Sequence, residues 1–371
     1  MNELKNGEIL LTIGVAVYNI KEKILRPCLE SLVADKGGGV EIILGDDGSD
    51  KETGDICREY AEMDSRIRYI RQENEGLSSI RNLAIREARG KVITFVDGDD
   101  IVPNGYSECI CKALKNAGKE YDIVMFRLKS FIETVPRIKV ENMKIVDIPI
   151  EAARQFSRAC ITGEPPRIED FGIIDGSPSS SCVKIYRRQF LLDNNLFFKV
   201  GLKKSEDIML NARAYFFCKS LGYIPQVLNF YRLNPDSITH KYSYDFEEII
   251  RGCISCDKEN MKLFNNDPKI LEKWRKYKLI HYAINNFALN IFHKDNPKKT
   301  SERKKDFIAF VRNEPFGSFF KSFDFSSYEW HERRLILWLA SRERFKTLDI
   351  MYRLPISFRV YGKIRNILSK I

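Results

Sequence analysis

The chain has 371 residues, long enough for two units, and is 44% hydrophobic and 12% aromatic, which is ample for a large core. Residues 1–7 lack a basic-then-apolar signal, and the longest apolar stretches, such as residues 335–340, are too short to span a bilayer. A soluble or peripheral protein in the cytoplasm is expected. The formal charge of +10 is uneven: residues 331–371 hold ten Lys or Arg against three acids, a net +7. The rest is nearly balanced, which speaks against a nucleic-acid groove through the core. The nine cysteines are odd in number and show no disulfide spacing, as reduced thiols would. Cys253 and Cys256 form a CxxC with no second Cys or His pair, and are read as helix-face thiols.

Residues 9–17 form an apolar, β-rich run ending at Tyr18-Asn19. Helical spacing follows over 23–34. A short buried strand at 41–44 leads into Gly45-Asp46-Asp47-Gly48-Ser49-Asp50. Residues 51–63 read as a helix with acids in its first turn, 67–71 as a strand, and 78–88 as a helix closed by Gly90 as a C-cap. The next strand ends in Asp97-Gly98-Asp99-Asp100. A helix after Pro103 and a strand over 121–132 complete the pattern. Such alternation predicts an α/β fold with a doubly wound, mostly parallel sheet. Ligands of these sheets bind at the strands' carboxyl ends, near a switch point, and the three polar clusters lie at such ends. No GxGxxG or GxxxxGK[ST] occurs, so a dinucleotide fold and a P-loop are disfavoured.

Side chains alternate along a strand, so Asp97 and Asp99 share a face if the strand persists. Carboxylates so crowded call for a cation, and hard divalent ions prefer oxygen ligands. The alternative is a polar Asp-Gly turn. Residues 145–200 are mixed, with loops at 163–166 and 176–181. Ser205 is expected to cap a helix opening Glu206-Asp207, whose acids are otherwise dipole partners. Residues 223–231 read as extended and 232–240 as a loop. Beyond about 245, aromatic and basic helical patterns dominate.

Four elements in order, Thr12 to Asn19, Asp46 to Asp50, Asn74 to Asn82 and Asp97 to Asp100, resemble the family 2 glycosyltransferases. Cys182 to Arg188, Ser205-Glu206-Asp207 and Tyr231-Arg232 through Ser237 extend the match to about 230 residues. Two departures are Ala16, where that family usually has proline, and Asp-Gly-Asp-Asp in place of Asp-Ser-Asp-Asp. The resemblance implies a glycosyltransferase-A fold over 1–240, with a nucleotide-sugar half (1–130) and an acceptor half (131–240). It implies inversion at the anomeric carbon, a nucleotide-sugar donor of UDP type, and Mn²⁺ or Mg²⁺. Residues 241–371 match nothing in that family and form a helical, basic C-terminal region.

By the same resemblance Asp99 is a metal ligand, and Asp97 lies by the ribose or the metal. Asp100 faces donor sugar or acceptor, and Asp47 meets a uracil-type base edge. Ala16, Tyr18 and Asn19 belong to the nucleotide-sugar element, whereas Asp46 is a turn residue. Arg81 reads the base or neutralises phosphate, or is an exposed helix arginine. Asp207 is the general base, while Glu206 orients the helix end or binds the acceptor. Lys184 matches a family lysine or is a solvated strand end. His240 is a metal or pyrophosphate ligand, or structural. The implied setting is cell-surface polysaccharide synthesis on a glycan acceptor, which a lipid-linked form would present at the inner face of the plasma membrane. The basic tail, with Trp338, Phe345, Tyr352, Phe358 and Tyr361, suits a helix on an anionic membrane. A sugar nucleotidyltransferase and a nucleotide-binding, inactive assembly module are the alternatives.

Overall fold

The structure is a computed structural model describing residues 8–141, 144–174, 177–233, 241–325 and 331–353. It divides into two compact units, Met1–Ile161 with Pro165–Asn234, and Thr162–Glu164 with Pro235–Ile371.

The first unit is built on one eight-stranded sheet. Its strands are β1 (Leu11–Val17), β2 (Val40–Asp46), β3 (Ile67–Arg71), β4 (Val92–Asp97), β5 (Ile123–Phe131), β6 (Val146–Ile148), β7 (Lys184–Arg187) and β8 (Leu221–Arg232). Their order is β3-β2-β1-β4-β7-β5-β8-β6. Pairings from β3 to β4 are parallel, β7 runs antiparallel between β4 and β5, and β5 pairs parallel with β8. The mostly parallel, doubly wound sheet is therefore present, with its switch point between β1 and β4. The helices are α1 (Glu22–Ala34), α2 (Lys51–Met63), α3 (Leu77–Glu87), α4 (Tyr106–Lys115), α5 (Ile150–Thr162), α6 (Arg188–Asp193) and α7 (Glu206–Phe217).

The sheet is buried on both faces, which is why its strands read as near-continuous apolar runs. On one face Leu25, Leu29, Ile56 and Ile110 share a core with Ile13, Leu44 and Val96. On the other, α3 lies close against β1 and β2. A Cβ at Gly14 would sit 3.1 Å from that of Ala84, and one at Gly45 would sit 2.7 Å from the Ile80 side chain. This close approach sets the height of α3 and hence of Arg81 on it.

Gly90 does not act as the expected left-handed cap. The helix ends at Ala88 in extended backbone (φ −58°, ψ 135°). Gly90 is small for another reason: a Cβ there would lie 2.6 Å from the Thr12 backbone nitrogen. Nor does Ser205 cap α7 with its side chain. It holds a left-handed conformation, φ 66°, directly before Glu206, a position where an L residue stores backbone strain.

The second unit is helical: α8 (Phe246–Met261), α9 (Pro268–Trp274), α10 (Ile280–Asn286), α11 (Thr300–Arg312), α12 (Phe316–Ser322), α13 (His331–Ser341) and α14 (Phe345–Arg353). The rings of Phe287, Phe292, Phe307 and Phe310 form its aromatic core. Two of the tail aromatics belong to that core. Phe345 is buried, and Tyr352 stacks on Phe292 with ring centroids 5.2 Å apart. Trp338 is half-exposed, while Phe358 and Tyr361 lie outside the described residues. The nine cysteines are free and buried. Among the described residues no helix is long and apolar enough to cross a membrane.

Candidate active site

Strand β4 stops at Asp97, and a turn closed by the Asp100 amide donating to the Asp97 carbonyl (2.9 Å) carries the other two aspartates. The expected alternation of Asp97 and Asp99 on one strand face therefore fails: the chain leaves the sheet before Asp99. The Asp97 side chain is one-third exposed. Asp99 is partly buried, and burial together with Asp97 pushes its carboxyl up from the usual range.

Asp100 is a correction. It faces neither sugar nor acceptor, for it is fully buried and clips the end of β8 to the turn. Its carboxylate accepts from the Arg232 amide (3.0 Å) and from Asn229 Nδ2 (3.1 Å). Burial first, then Asp97, push it up to about 8. Arg232 fastens the same corner, donating from Nε to the Asp99 carbonyl (2.9 Å) and lying over the Phe131 ring.

Arg81 is the second correction. It is 3% exposed and engages three carboxylates. Its guanidinium donates to Asp97 Oδ1 (2.6 Å), Asp207 Oδ1 (2.7 Å) and Glu206 Oε1 (3.2 Å) and lies over the Phe198 ring. An arginine held this way is neither an exposed helix residue nor a free ligand for base or phosphate. The next residue locks the arrangement: Asn82 donates to the Phe198 carbonyl and accepts from its amide, both at 2.8 Å.

Asp207 and Glu206 open α7, so the sheet edge and the second carboxylate pair meet through one cation. Asp207 Oδ2 also accepts the Ser181 amide at 3.0 Å. Burial and the adjoining Asp207 push Glu206 up to about 7, against the pull of Arg81. Lys184 is the third correction. It is fully buried rather than solvated at a strand end, and its ammonium donates to the carbonyls of Ser177 (2.9 Å) and Ser180. It supports a loop.

At the β1 and β2 ends the aspartates hold the protein itself. Asp46 is buried and accepts from the Ser49 amide, Tyr69 and Arg71. Asp47, also buried, accepts from Gln72 Nε2 (2.7 Å) and from the amides of Glu75 and Gly76. Oδ1 accepts two of these donors and Oδ2 one, so a single lone pair on Oδ2 is left for a base edge. Asn19 stands at φ 47°, and its Oδ1 accepts the Asp50 amide. Tyr18 is 51% exposed beside the switch point, and Ala16 Cα pairs in register with Asp97. His240 lies outside the described residues.

The sequence reading missed the Ser181 amide, Asn229 and the backbone clip by Arg232. Residue type carries no signal for a backbone donor, although Arg232 stands in one of the elements that carry the family resemblance. Asp97 and Asp99 are the oxygen ligands available to a hard ion. Among the described residues no three carboxylate, His or Cys side chains form a ready cage.

This layout, carboxylates gathered at the switch point of a doubly wound sheet and joined to a second acidic pair, defines the glycosyltransferase-A class. The Glycosyl transferase family 2 model matches residues 12–175. The putative glycosyltransferase EpsH of Bacillus subtilis (strain 168) is 32% identical over 265 residues, 71% of each chain. Glycosyltransferase GlyA of Streptococcus pneumoniae serotype 4 is 31% identical over 268 residues, 71% of this chain but 36% of the relative. The solved structure of S. aureus TarS 1-349 in complex with UDP-GlcNAc superposes with a TM-score of 0.58 at 20% identity, covering 93% of this chain and 92% of that one. The chain belongs to the family 2 glycosyltransferases.

Glu206 yields a test of the site's electrostatics. A carboxyl raised from about 4.3 unfolded to about 7 folded binds more protons in the folded state between those values. Stability is then lost as the pH rises through that window. Glu206→Gln removes the titration. Relative to wild type its stability should be higher at pH 8 than at pH 5, by about 1–3 kcal/mol, as read by thermal melts across that range. A difference that does not change with pH would reject the raised pKa.

Proposed function

We propose that the protein is an inverting, metal-dependent glycosyltransferase that moves a sugar from a UDP-sugar to a glycan acceptor in cell-surface polysaccharide synthesis. One observation carries this: Asp97 at the sheet edge and Asp207 on α7 meet on a single buried guanidinium. Donor-side and acceptor-side chemistry are thereby held at a fixed spacing. The family supports the reaction class, and the relative seen with UDP-GlcNAc supports a UDP-linked donor.

The roles follow from position. Tyr18 offers an exposed ring beside the switch point for the nucleotide. Asp99 with Asp97 would hold Mn²⁺ or Mg²⁺, which supplies Lewis-acid neutralisation of the departing diphosphate. Asp207 takes the proton of the acceptor hydroxyl as its oxygen attacks the anomeric carbon and the bond to UDP breaks. Each carboxylate oxygen has a second lone pair, so Asp207 can accept that hydroxyl while Arg81 and the Ser181 amide hold its orientation.

A panel of nucleotide sugars incubated with Mn²⁺ and scored for free UDP tests the class. Release of pyrophosphate would mark a nucleotidyltransferase, and no release at all an inactive binding module. UDP affinity measured by calorimetry should collapse in EDTA and in Asp99→Ala. Affinity unchanged by chelator would end the metal role.

Asp207→Asn keeps the shape of the side chain but cannot accept the proton. Its kcat should fall by about 10²–10⁴-fold with UDP affinity nearly intact. Turnover near wild type would move the base to another carboxylate.

The acceptor is proposed to be lipid-linked and reached from an anionic membrane surface through the second unit. Half-exposed Trp338 and the cations of residues 354–371 support that contact. Full-length protein should co-sediment with phosphatidylglycerol vesicles at low salt, and the triple change Arg359→Gln, Lys363→Gln and Arg365→Gln should weaken it. Equal binding by both forms would remove the tail from the interface.

A further inference from the structure

The Ser177–Ser181 loop is held by an unusual amount of buried polar structure. Asn211 Nδ2 donates to the Ser179 carbonyl (2.8 Å), and Tyr186 donates to Asn211 Oδ1 (2.7 Å). Lys184 lies beneath, fully buried, with its ammonium on the Ser177 and Ser180 carbonyls and 5.6 Å above the Tyr215 ring. Its own backbone is pinned to β4, since Thr94 Oγ1 donates to the Lys184 carbonyl (2.9 Å). Among the described residues the ammonium makes no ion pair with a carboxylate. A lysine buried without one is costly, and the loop it supports does one thing for the site: it presents the Ser181 amide to Asp207 at 3.0 Å.

We propose that Lys184 is a positioning residue for the reaction: its buried ammonium fixes the Ser177–Ser181 loop so that the Ser181 amide and Arg81 together orient Asp207 toward the acceptor hydroxyl. The proposal rests on Asp207 as the base. It departs from the nucleotide contact that the resemblance implies for Lys184. The groups facing the ammonium are Cys160 from α5, Asp207 and Tyr215 from α7, and Cys182 from the loop's own end. Burial outweighs them and pulls Lys184 down to about 8. Charge-assisted hydrogen bonds are roughly twice as strong as neutral ones, so the hold on the loop weakens as the amine loses its proton.

The test uses the full chain. In Lys184→Met, amide exchange over 177–181, read by mass spectrometry, should accelerate at least about tenfold while the strands of the sheet keep their protection. Turnover is followed as UDP released from whichever of UDP-glucose, UDP-galactose, UDP-N-acetylglucosamine or UDP-glucuronate wild type hydrolyses fastest. The variant's kcat should fall by about 10²-fold, with the donor KM within about twofold. In wild type the protection of the loop, corrected for intrinsic exchange, should likewise decline as the pH passes about 8. Unchanged loop exchange, or a raised KM at constant kcat, would overturn the proposal, the latter by placing Lys184 on the donor. Wild-type turnover in Asp207→Asn would defeat the base assignment separately, because loop exchange in Lys184→Met does not depend on it.

Discussion

The buried Arg81 guanidinium is the interaction on which the rest of the site depends. Taking an arginine out of water costs several kcal/mol, and only close, well-directed partners offset it. Arg81 has three, from β4 and from the start of α7, separated along the chain by 16, 125 and 126 residues. Without the cation, Asp97, Glu206 and Asp207 would face one another as uncompensated charges. The site can assemble only when the sheet, α3 and α7 are all in place.

The fold supplies that condition by packing. Gly14 and Gly45 let α3 descend onto β1 and β2, and Asn82 then ties the helix to the Phe198 backbone. On the far side, the antiparallel strand β7 is inserted between β4 and β5, so the chain that follows it leads toward α7 and the β4 edge. The parallel half of the sheet carries Asp97. The later half brings Asp207, the Ser181 amide and Arg232. Each half contributes groups that have little purpose without the other.

Much of the framework was legible because it depends on local rules. The helix at 51–63 and the strand at 67–71 appear with the expected limits. Asp50 accepts the Thr53 amide at 2.9 Å, a cap that a local pattern can announce. What escaped was set by partners far along the chain. Arginine and lysine are rarely buried, so Arg81 and Lys184 were assigned to the surface or to a ligand, and only the converging carboxylates and carbonyls make their burial tolerable. Asp97 and Asp99 were to share a face only if the strand persisted, and periodicity does not say where a strand stops. The short β7 has too few residues for any period to register.

The corrections change how the aspartates divide their work. Asp46, Asp47 and Asp100 face the protein, building the three turns from which the sheet's carboxyl edge is made. Asp97, Asp99, Glu206 and Asp207 remain toward the site, with Arg81 as the cation among them. Arg232 reaches this corner through the Asp99 carbonyl rather than through a carboxylate. A pyrophosphate donor brings further negative charge to an edge already in surplus. Coulomb repulsion at such spacing, even at an effective dielectric near 20, amounts to about 4 kcal/mol per unit pair at 4 Å. A proteinaceous cation at Asp99 would have solved this permanently and locked the edge shut. A divalent ion bound together with the diphosphate would offset it only while donor is present, which is why we propose Asp99 as its ligand and assign Arg81 to the base.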